Sequence, residues 1–328
     1  MLNLDSKNIR FLARMGARGT LGQAVYDYLR DERELYVVTA DLMHASGFDR
    51  IKKEFPESLV NVGIAEQNLI GVSAGLARYG APVIATSWAM FTSARVADQV
   101  RNYMGYMQAN VKLIGMDSGF IQSEFSYSHT NPPDIAIMRA IPGIKILSPC
   151  DGTEIYKAVV SAIEYKGPVY IRLTGDTLMP IIYKTADYSY EIGKANILRK
   201  GKDVAIIATG NIVKNALDAA DVLKDDIDCT VVDMHTIVPL DTALLQELTH
   251  YRLIVTMEEH LKAGGMGSAV AEYYAGQVVK PKHIILGVNN AYTPSGTTHY
   301  VQEQSGLLPQ QIAEKIKEEF RSESARKP

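Results

Sequence analysis

Short apolar runs, each closed by a turn and followed by a stretch of helical periodicity, recur along nearly the whole chain, and no other feature limits the fold as tightly. The runs 35–40, 59–62, 82–86, 111–116, 144–148 and 169–173 read as strands, with helices expected over 18–30, 65–77, 92–107 and 153–165. A tyrosine-rich, irregular stretch, 175–202, separates these from a second alternation. There the strands are 203–209, 229–233, 253–256 and 284–287, and the helices 212–224, 242–250, 267–275 and 309–320. This pattern predicts parallel sheets covered by helices on both faces. The expected class is α/β with two doubly wound domains. The expected boundaries are an N-terminal segment over 1–14, a first domain over 15–180, a linker over 181–200, a second domain over 201–320 and a polar tail without fixed structure over 321–328.

Composition supports two domains with real cores: 328 residues, 47% hydrophobic and 22% charged. Lys plus Arg number 34 against 37 Asp plus Glu, a formal net charge of -3 with no basic block. That argues against nucleic acid or an anionic membrane as the main partner. No apolar run approaches a membrane span, and the N-terminus lacks the apolar core of a secretory signal. Cys150 and Cys229 lie far apart and match no metal spacing, so no metal ligands are expected and a reducing cytoplasm is.

Open parallel sheets bind ligands beyond the carboxyl ends of their strands. Asp41, residues 63–66, 87–91 and 116–129, and Arg172 all fall at such ends, which places them on one rim of the first domain. Glu66 opens a nearly uncharged helix rich in small residues (Gly71, Ala74, Gly75, Ala77), which let a flat ligand approach closely. Taken alone, Glu66 reads as a solvated complement to the helix dipole. Trp88, the chain's one tryptophan, and Phe91 taken alone read as core aromatics. Beside Glu66 they can instead form an apolar slot for a planar heterocycle. A carboxyl desolvated there would gain proton affinity and exchange a proton with a ring nitrogen.

His129 lies in a long polar stretch, 117–133, just ahead of Asn131-Pro132-Pro133-Asp134, where a histidine is more often functional than structural. Arg172 sits inside an apolar strand and needs either a carboxylate partner or an anionic ligand. Gly264-Gly265-Met266-Gly267 can be an anion nest, with a tight structural turn the plainer reading. The chain has no P-loop, no metal-spaced His/Cys cluster and no Gly-x-Ser-x-Gly elbow.

Three stretches carry a likeness to a known family: Gly63-Ile-Ala-Glu66-Gln67-Asn68, Ser87-Trp-Ala-Met-Phe91 and Val232-Asp-Met-His235-Thr-Ile-Val-Pro239-Leu-Asp241. They resemble the C-terminal half of transketolases, most of all the split transketolases in which that half is a separate subunit. Glu258-Glu-His260 with residues 264–272 extends the likeness, which runs from about Arg18 to about Ile316. The resemblance implies a pyrimidine-binding domain followed by a transketolase C-terminal domain, with thiamine diphosphate as cofactor. It assigns Glu66 to the N1′ nitrogen of the aminopyrimidine. It places Asp41, Leu42, Ile64, Trp88 and Phe91 around the cofactor, and gives His129 the substrate hydroxyl protons. Arg18, Arg172, Ser46, Glu124 and Met116 fall at substrate positions.

Departures from the family pattern bear on the substrate. Met116 stands where typical transketolases have a phosphate-binding histidine. A phosphate-binding serine falls at Ala45, beside Ser46, and the run 122–129 is one residue longer. A sugar with another anion, an unphosphorylated sugar or a specialised acceptor is therefore expected. The Gly-Asp-Gly segment that holds the diphosphate's metal is absent, Gly175-Asp176-Thr177 being the nearest approach. The resemblance thus implies a partner chain that carries the diphosphate-binding domain and its Mg2+ or Ca2+, in a heterotetramer with two of each chain. Rival readings are a decarboxylating relative, such as a 1-deoxyxylulose-5-phosphate synthase or a 2-oxoacid dehydrogenase β subunit, and a non-catalytic scaffolding subunit. The 234–241 stretch favours transketolase over the first. The joint presence of Glu66, Phe91 and His129 argues against the second.

Overall fold

The computed structural model describes residues 1–130, 133–185 and 187–324; Asn131, Pro132 and the last part of the expected tail lie outside them. Twelve strands in those residues form two sheets. The first contains β1 (Tyr36–Thr39), β2 (Leu59–Asn61), β3 (Val83–Trp88), β4 (Val111–Met116), β5 (Lys145–Leu147) and β6 (Val169–Arg172). The others are β7 (Asn196–Arg199), β8 (Val204–Ala208), β9 (Cys229–Asp233), β10 (Thr236–Val238), β11 (Leu253–Leu261) and β12 (Lys282–Val288). The first sheet has the order β10-β5-β6-β4-β3-β1-β2 and the second β12-β11-β8-β9-β7. Both are parallel except at one edge, where β10 and β7 run antiparallel to their neighbours. The two doubly wound α/β units expected from the alternation are present.

Side chains on a strand point alternately to opposite faces, and β3 shows the consequence. Val83 and Ala85 join the core that contains Val38, Leu113 and Tyr170, whereas Ile84 joins Val37, Ile114 and Ile171 on the other face. That second face is covered by the helices Ser6–Arg30 and Gly152–Glu164, through Leu21, Val25, Ile155 and Val159. The first core continues into the second domain through Ala205, Val232, Ile254 and Met266, so the domains share apolar contacts. A third core fills the second sheet's far face, with Val204, Ile206, Val231 and Val255 against Ala216, Ala220 and Ile312.

Four local features depart from the sequence reading. The first helix begins at Ser6, capped by the Asp5 carboxylate, and passes through Gly16 at φ +72°. No other residue fits there, because a Cβ at Gly16 would lie 2.4 Å from the Asp176 carbonyl oxygen. The helix expected over 92–107 is broken into Ala89–Ser93, Ala97–Gln99 and Val100–Tyr106, with a turn at 94–96. The stretch read as an irregular linker holds β7, which covers the outer edge of β9. Finally, β10 crosses from the second half of the chain to pair with β5, joining the two halves by backbone hydrogen bonds. Among the described residues, no helix is long and apolar enough to cross a membrane.

Candidate active site

The parallel register brings the carboxyl ends of five strands to one rim: Thr39 pairs with Thr86 and Asn61, Trp88 with Met116, and Gly115 with Arg172. Asp41, just past β1, adopts φ +60°, an uncommon conformation for a residue with a side chain. Asn61 at the end of β2 holds it there. Its side-chain oxygen accepts from the Asp41 and Gly63 backbone N–H groups, each at 3.0 Å, and its amide donates to the Asp41 carboxylate at 3.1 Å. Leu42 is partly buried, its N–H bonded to Thr39 Oγ1 at 3.1 Å. Ile64 stands out from the rim, 79% exposed, a large apolar side chain with one face open to a ligand or another chain.

Glu66, on the first turn of the Glu66–Ala77 helix, is buried at 4% exposure. Its slot is not purely apolar, as the sequence suggested. Arg95, from the turn that interrupts the expected helix, donates to its carboxylate at 3.0 Å, and the same guanidinium lies 3.9 Å over the centre of the Phe91 ring. The His129 ring meets Phe91 edge to face at 5.5 Å and Phe125 at the same distance, and its Nδ1 is 3.0 Å from Ser128 Oγ. Glu66, Phe91, Arg95 and His129 thus form one connected group. Trp88 belongs to the other side of the rim: it packs on the core that holds Met116, with the Arg18 guanidinium 5.7 Å from its ring centre.

Three of the expected substrate residues lie inside the chain rather than on its surface. Met116 is fully buried in β4. Ser46 is also fully buried, donating to the Leu42 carbonyl at 2.7 Å and lying 3.3 Å from the Met116 sulfur. Both face the interior because the 42–47 loop folds back over the strand ends. Arg172 is fully buried as well, and the partner is a carboxylate, the first of the two possibilities its position allowed. Its Nε donates to Asp134 at 3.0 Å and an Nη donates to the Glu259 carbonyl at 2.6 Å. Burial works against the charge, but Asp134 outweighs it and the guanidinium holds its proton more tightly than usual. Glu124 is exposed on the first turn of the Ser123–Ser128 helix.

Arg18 does reach solvent. It lines a cleft of about 260 Å³ with Gly16, His44, Gly47, Asp176 and Thr177. Asp117, at the end of β4, is buried, and burial pushes its carboxyl up despite Arg18 nearby.

The second domain holds the loop that bears His129. Ser123 Oγ donates to the Gly296 carbonyl at 2.8 Å, Thr298 Oγ1 to the Phe120 carbonyl at 3.2 Å, and the Ala136 N–H to His260 Nε2 at 3.2 Å. Arg139 bonds the Gly264 carbonyl at 2.7 Å and Glu272 at 2.6 Å, and the Met266 and Gly267 N–H groups donate to the Glu258 carboxylate at 2.7 and 2.8 Å, so the glycine-rich stretch is a structural turn whose N–H groups hold an acid of this chain rather than a ligand. Sequence reasoning assigned no role to Arg95, Asp134, Asn61 or Asp117. Asp117 fell inside the 116–129 rim stretch, and Asp134 carried a signal as an acid at a helix start beside an apolar run.

Two mainly parallel α/β domains in succession, the first with a buried glutamate near an aromatic ring at its carboxyl rim, have the architecture of the pyrimidine-binding and C-terminal domains of a transketolase. Residues 14–179 match the transketolase pyrimidine-binding domain and residues 193–312 the transketolase C-terminal domain. The chain is 37% identical to a putative transketolase C-terminal section of Methanocaldococcus jannaschii, over 94% of this chain and 97% of that one. It is 35% identical to a 6-deoxy-6-sulfo-D-fructose transketolase subunit of a Clostridium species, over 90% and 91%. It is 39% identical to one chain of an apulose-4-phosphate transketolase of Actinobacillus succinogenes, over 74% and 78%. A solved split-gene transketolase, an inactive tetramer of β chains, superposes with a TM-score of 0.82 at 33% identity, over 92% of this chain and 97% of that one. The chain belongs to the transketolase family and corresponds to the C-terminal section of the split enzymes.

Proposed function

We propose that this chain is the pyrimidine-binding subunit of a split transketolase, which moves a two-carbon ketol unit from a ketose to an aldehyde. The observation that supports it most is the group formed by Glu66, Phe91 and His129 at the carboxyl rim of the first sheet. The donor set fits the cofactor's ring. Glu66 and Phe91 already hold one flat, hydrogen-bonding cation, the Arg95 guanidinium, by a 3.0 Å bond and a 3.9 Å stack. Thiamine diphosphate, when bound, supplies the carbon nucleophile and the electron sink that no side chain offers. Glu66 would bond the ring nitrogen of its pyrimidine, Phe91 would give the ring a face, and Asp41, Leu42, Ile64 and Trp88 would shape the rim. His129, fixed between Phe91 and Phe125, moves a proton at a substrate hydroxyl.

The diphosphate and its Mg2+ or Ca2+ belong to a partner chain, since this sequence has no Gly-Asp-Gly segment. Two copies of each chain make the working enzyme, in a compartment where the free thiols of Cys150 and Cys229 stay reduced. Relatives of similar identity are named for a sulfosugar and for a sugar phosphate, so family membership leaves the end of the sugar open.

The test is co-expression with the product of a neighbouring gene that encodes a diphosphate-binding domain. Ketol transfer is then assayed with thiamine diphosphate and Mg2+. Activity confined to the mixed complex, and lowered at least a hundredfold by Glu66→Ala, is the expected result. Full turnover by this chain alone, or an undiminished Glu66→Ala complex, would overturn the assignment.

A further inference from the structure

The Arg18 cleft has an acidic balance around its one arginine. Arg18 Nε is 3.5 Å from Asp117 Oδ1 and its Nη2 is 3.9 Å from Asp176 Oδ1. The second acid is held in place by the close approach of Gly16 to the Asp176 backbone. Asp117 accepts from the Gln122 amide through its other oxygen, while Oδ1 is buried without a hydrogen-bond partner. His44 lines the same cleft, but its Nδ1 already lies 2.9 Å from Asp49. Among the described residues, the Arg18 guanidinium is therefore offset by two carboxylates: Asp176, which lines the cleft with it, and Asp117, which is buried behind it. The other positions from which a cationic or hydroxyl grip was expected, Met116, Ser46 and Arg172, are all fully buried and add nothing to its wall.

A phosphate ester at neutral pH carries a charge of roughly −1.5 to −2. To pair with Arg18 it must lie beside Asp176, with Asp117 behind the guanidinium, and like charges so close repel. A group with one charge, or none, pairs with the guanidinium at much smaller cost, and any hydroxyl on it can donate to Asp176. We infer that this cleft reads the end of the sugar by its charge: it accepts a ketose whose terminal group carries at most one negative charge and disfavours a phosphate dianion, with Asp117 and Asp176 as the discriminating residues. The inference rests on the ketol-transfer reading of the same site.

The experiment uses the reconstituted complex with thiamine diphosphate, Mg2+ and one uncharged aldehyde acceptor. Two donors of nearly equal shape are compared, 6-deoxy-6-sulfofructose and fructose 6-phosphate, from pH 5.5 to 8. At pH 8 the sulfonate should have a kcat/KM at least tenfold above the phosphate. That ratio should shrink several-fold below about pH 6, where the phosphate takes up its second proton. Asp176→Asn should narrow the pH 8 ratio at least threefold; because the ratio is taken within one preparation, partial misfolding does not imitate the effect. A preference for the phosphate at pH 8, or a ratio indifferent to both pH and Asp176→Asn, overturns the inference while leaving ketol transfer standing. An assembled, cofactor-loaded complex that transfers no ketol unit from either donor or from any ketose of a panel of phosphorylated and uncharged sugars overturns the ketol-transfer reading itself.

Discussion

The Arg95 guanidinium joins Glu66 to Phe91, bonding the carboxylate at 3.0 Å while covering one face of the ring at 3.9 Å. A planar cation in that place offers what an aminopyrimidine offers: a hydrogen bond to the acid and a flat surface against the aromatic. A ring that takes the same carboxylate oxygen and the same face of Phe91 displaces Arg95 from both.

The first prediction follows from the strength of that contact. Arg95 is 47% exposed, so its pair with Glu66 is worth no more than about 1 kcal/mol. Arg95→Ala removes the competitor and should lower the half-saturating concentration of thiamine diphosphate up to about fivefold. Titration of the apo complex, followed by activity and by intrinsic fluorescence, measures it. Weaker binding in the variant would show instead that Arg95 stays in place as an anchor in the loaded site.

Asp134→Ala strands the Arg172 charge in a fully buried position and takes an acceptor from the Tyr170 hydroxyl, 3.0 Å away. Loss of one member of such a pair costs about 3–5 kcal/mol. Denaturant unfolding of the isolated chain should show that loss. The complex should also lose turnover, because Asp134 follows directly on the loop that carries His129. An unchanged midpoint would mean that water or another carboxylate takes over the guanidinium.

The parts legible in the sequence were those written in neighbouring residues. The apolar run 82–86 read as a strand and is β3, and Gly63 ahead of Glu66 marked the strand-to-helix turn at the rim. Arg95 was hidden because residues 92–107 have continuous helical periodicity, and only packing shows where that helix breaks. Arg172 and Asp134 meet across 38 residues of chain, so its need for a partner was readable and the partner was not. Ser46 and Met116 lie close together near the ends of the strands, and their burial depends on how the 42–47 loop folds. The crossing of β10 into the first sheet left no local trace at all.

A buried acidic group beneath the domain junction should make stability depend on pH. Glu154 Oε2 accepts from the Cys150 N–H at 2.8 Å, and Asp233 Oδ2 accepts from the Tyr183 hydroxyl at 2.7 Å and lies 3.3 Å from the Cys150 sulfur. Their other oxygens have no hydrogen-bond partner. Burial pushes Glu154 well above the usual carboxylate range and Asp233 up to about 6. Above the unfolded value of about 4, the folded chain then binds more protons than the unfolded one, so stability falls as pH rises through about 6 and beyond. Glu154→Gln keeps the acceptor for Cys150 and removes one titration. It should raise the Tm at pH 8 by about 2 °C or more and flatten the profile between pH 5 and 8. Thermal unfolding across that range is the measurement; parallel profiles for the two proteins would show that the pair does not titrate there.

Met116→His restores the side chain that typical transketolases use against phosphate, and it should fail to restore the grip. Met116 is fully enclosed, with Ser46 Oγ 3.3 Å from its sulfur and its strand paired on both sides. An imidazole in that place enters a dry pocket where few groups can satisfy its two nitrogens, a cost of about 1–3 kcal/mol. It also stands behind the wall of the Arg18 cleft, where Asp117 and Asp176 set the charge balance. The variant should therefore unfold at lower denaturant concentration and show no more than a twofold gain in kcat/KM for a phosphate-ended ketose. A gain of tenfold or more would mean that the 42–47 loop opens in the assembled enzyme and exposes β4 to substrate.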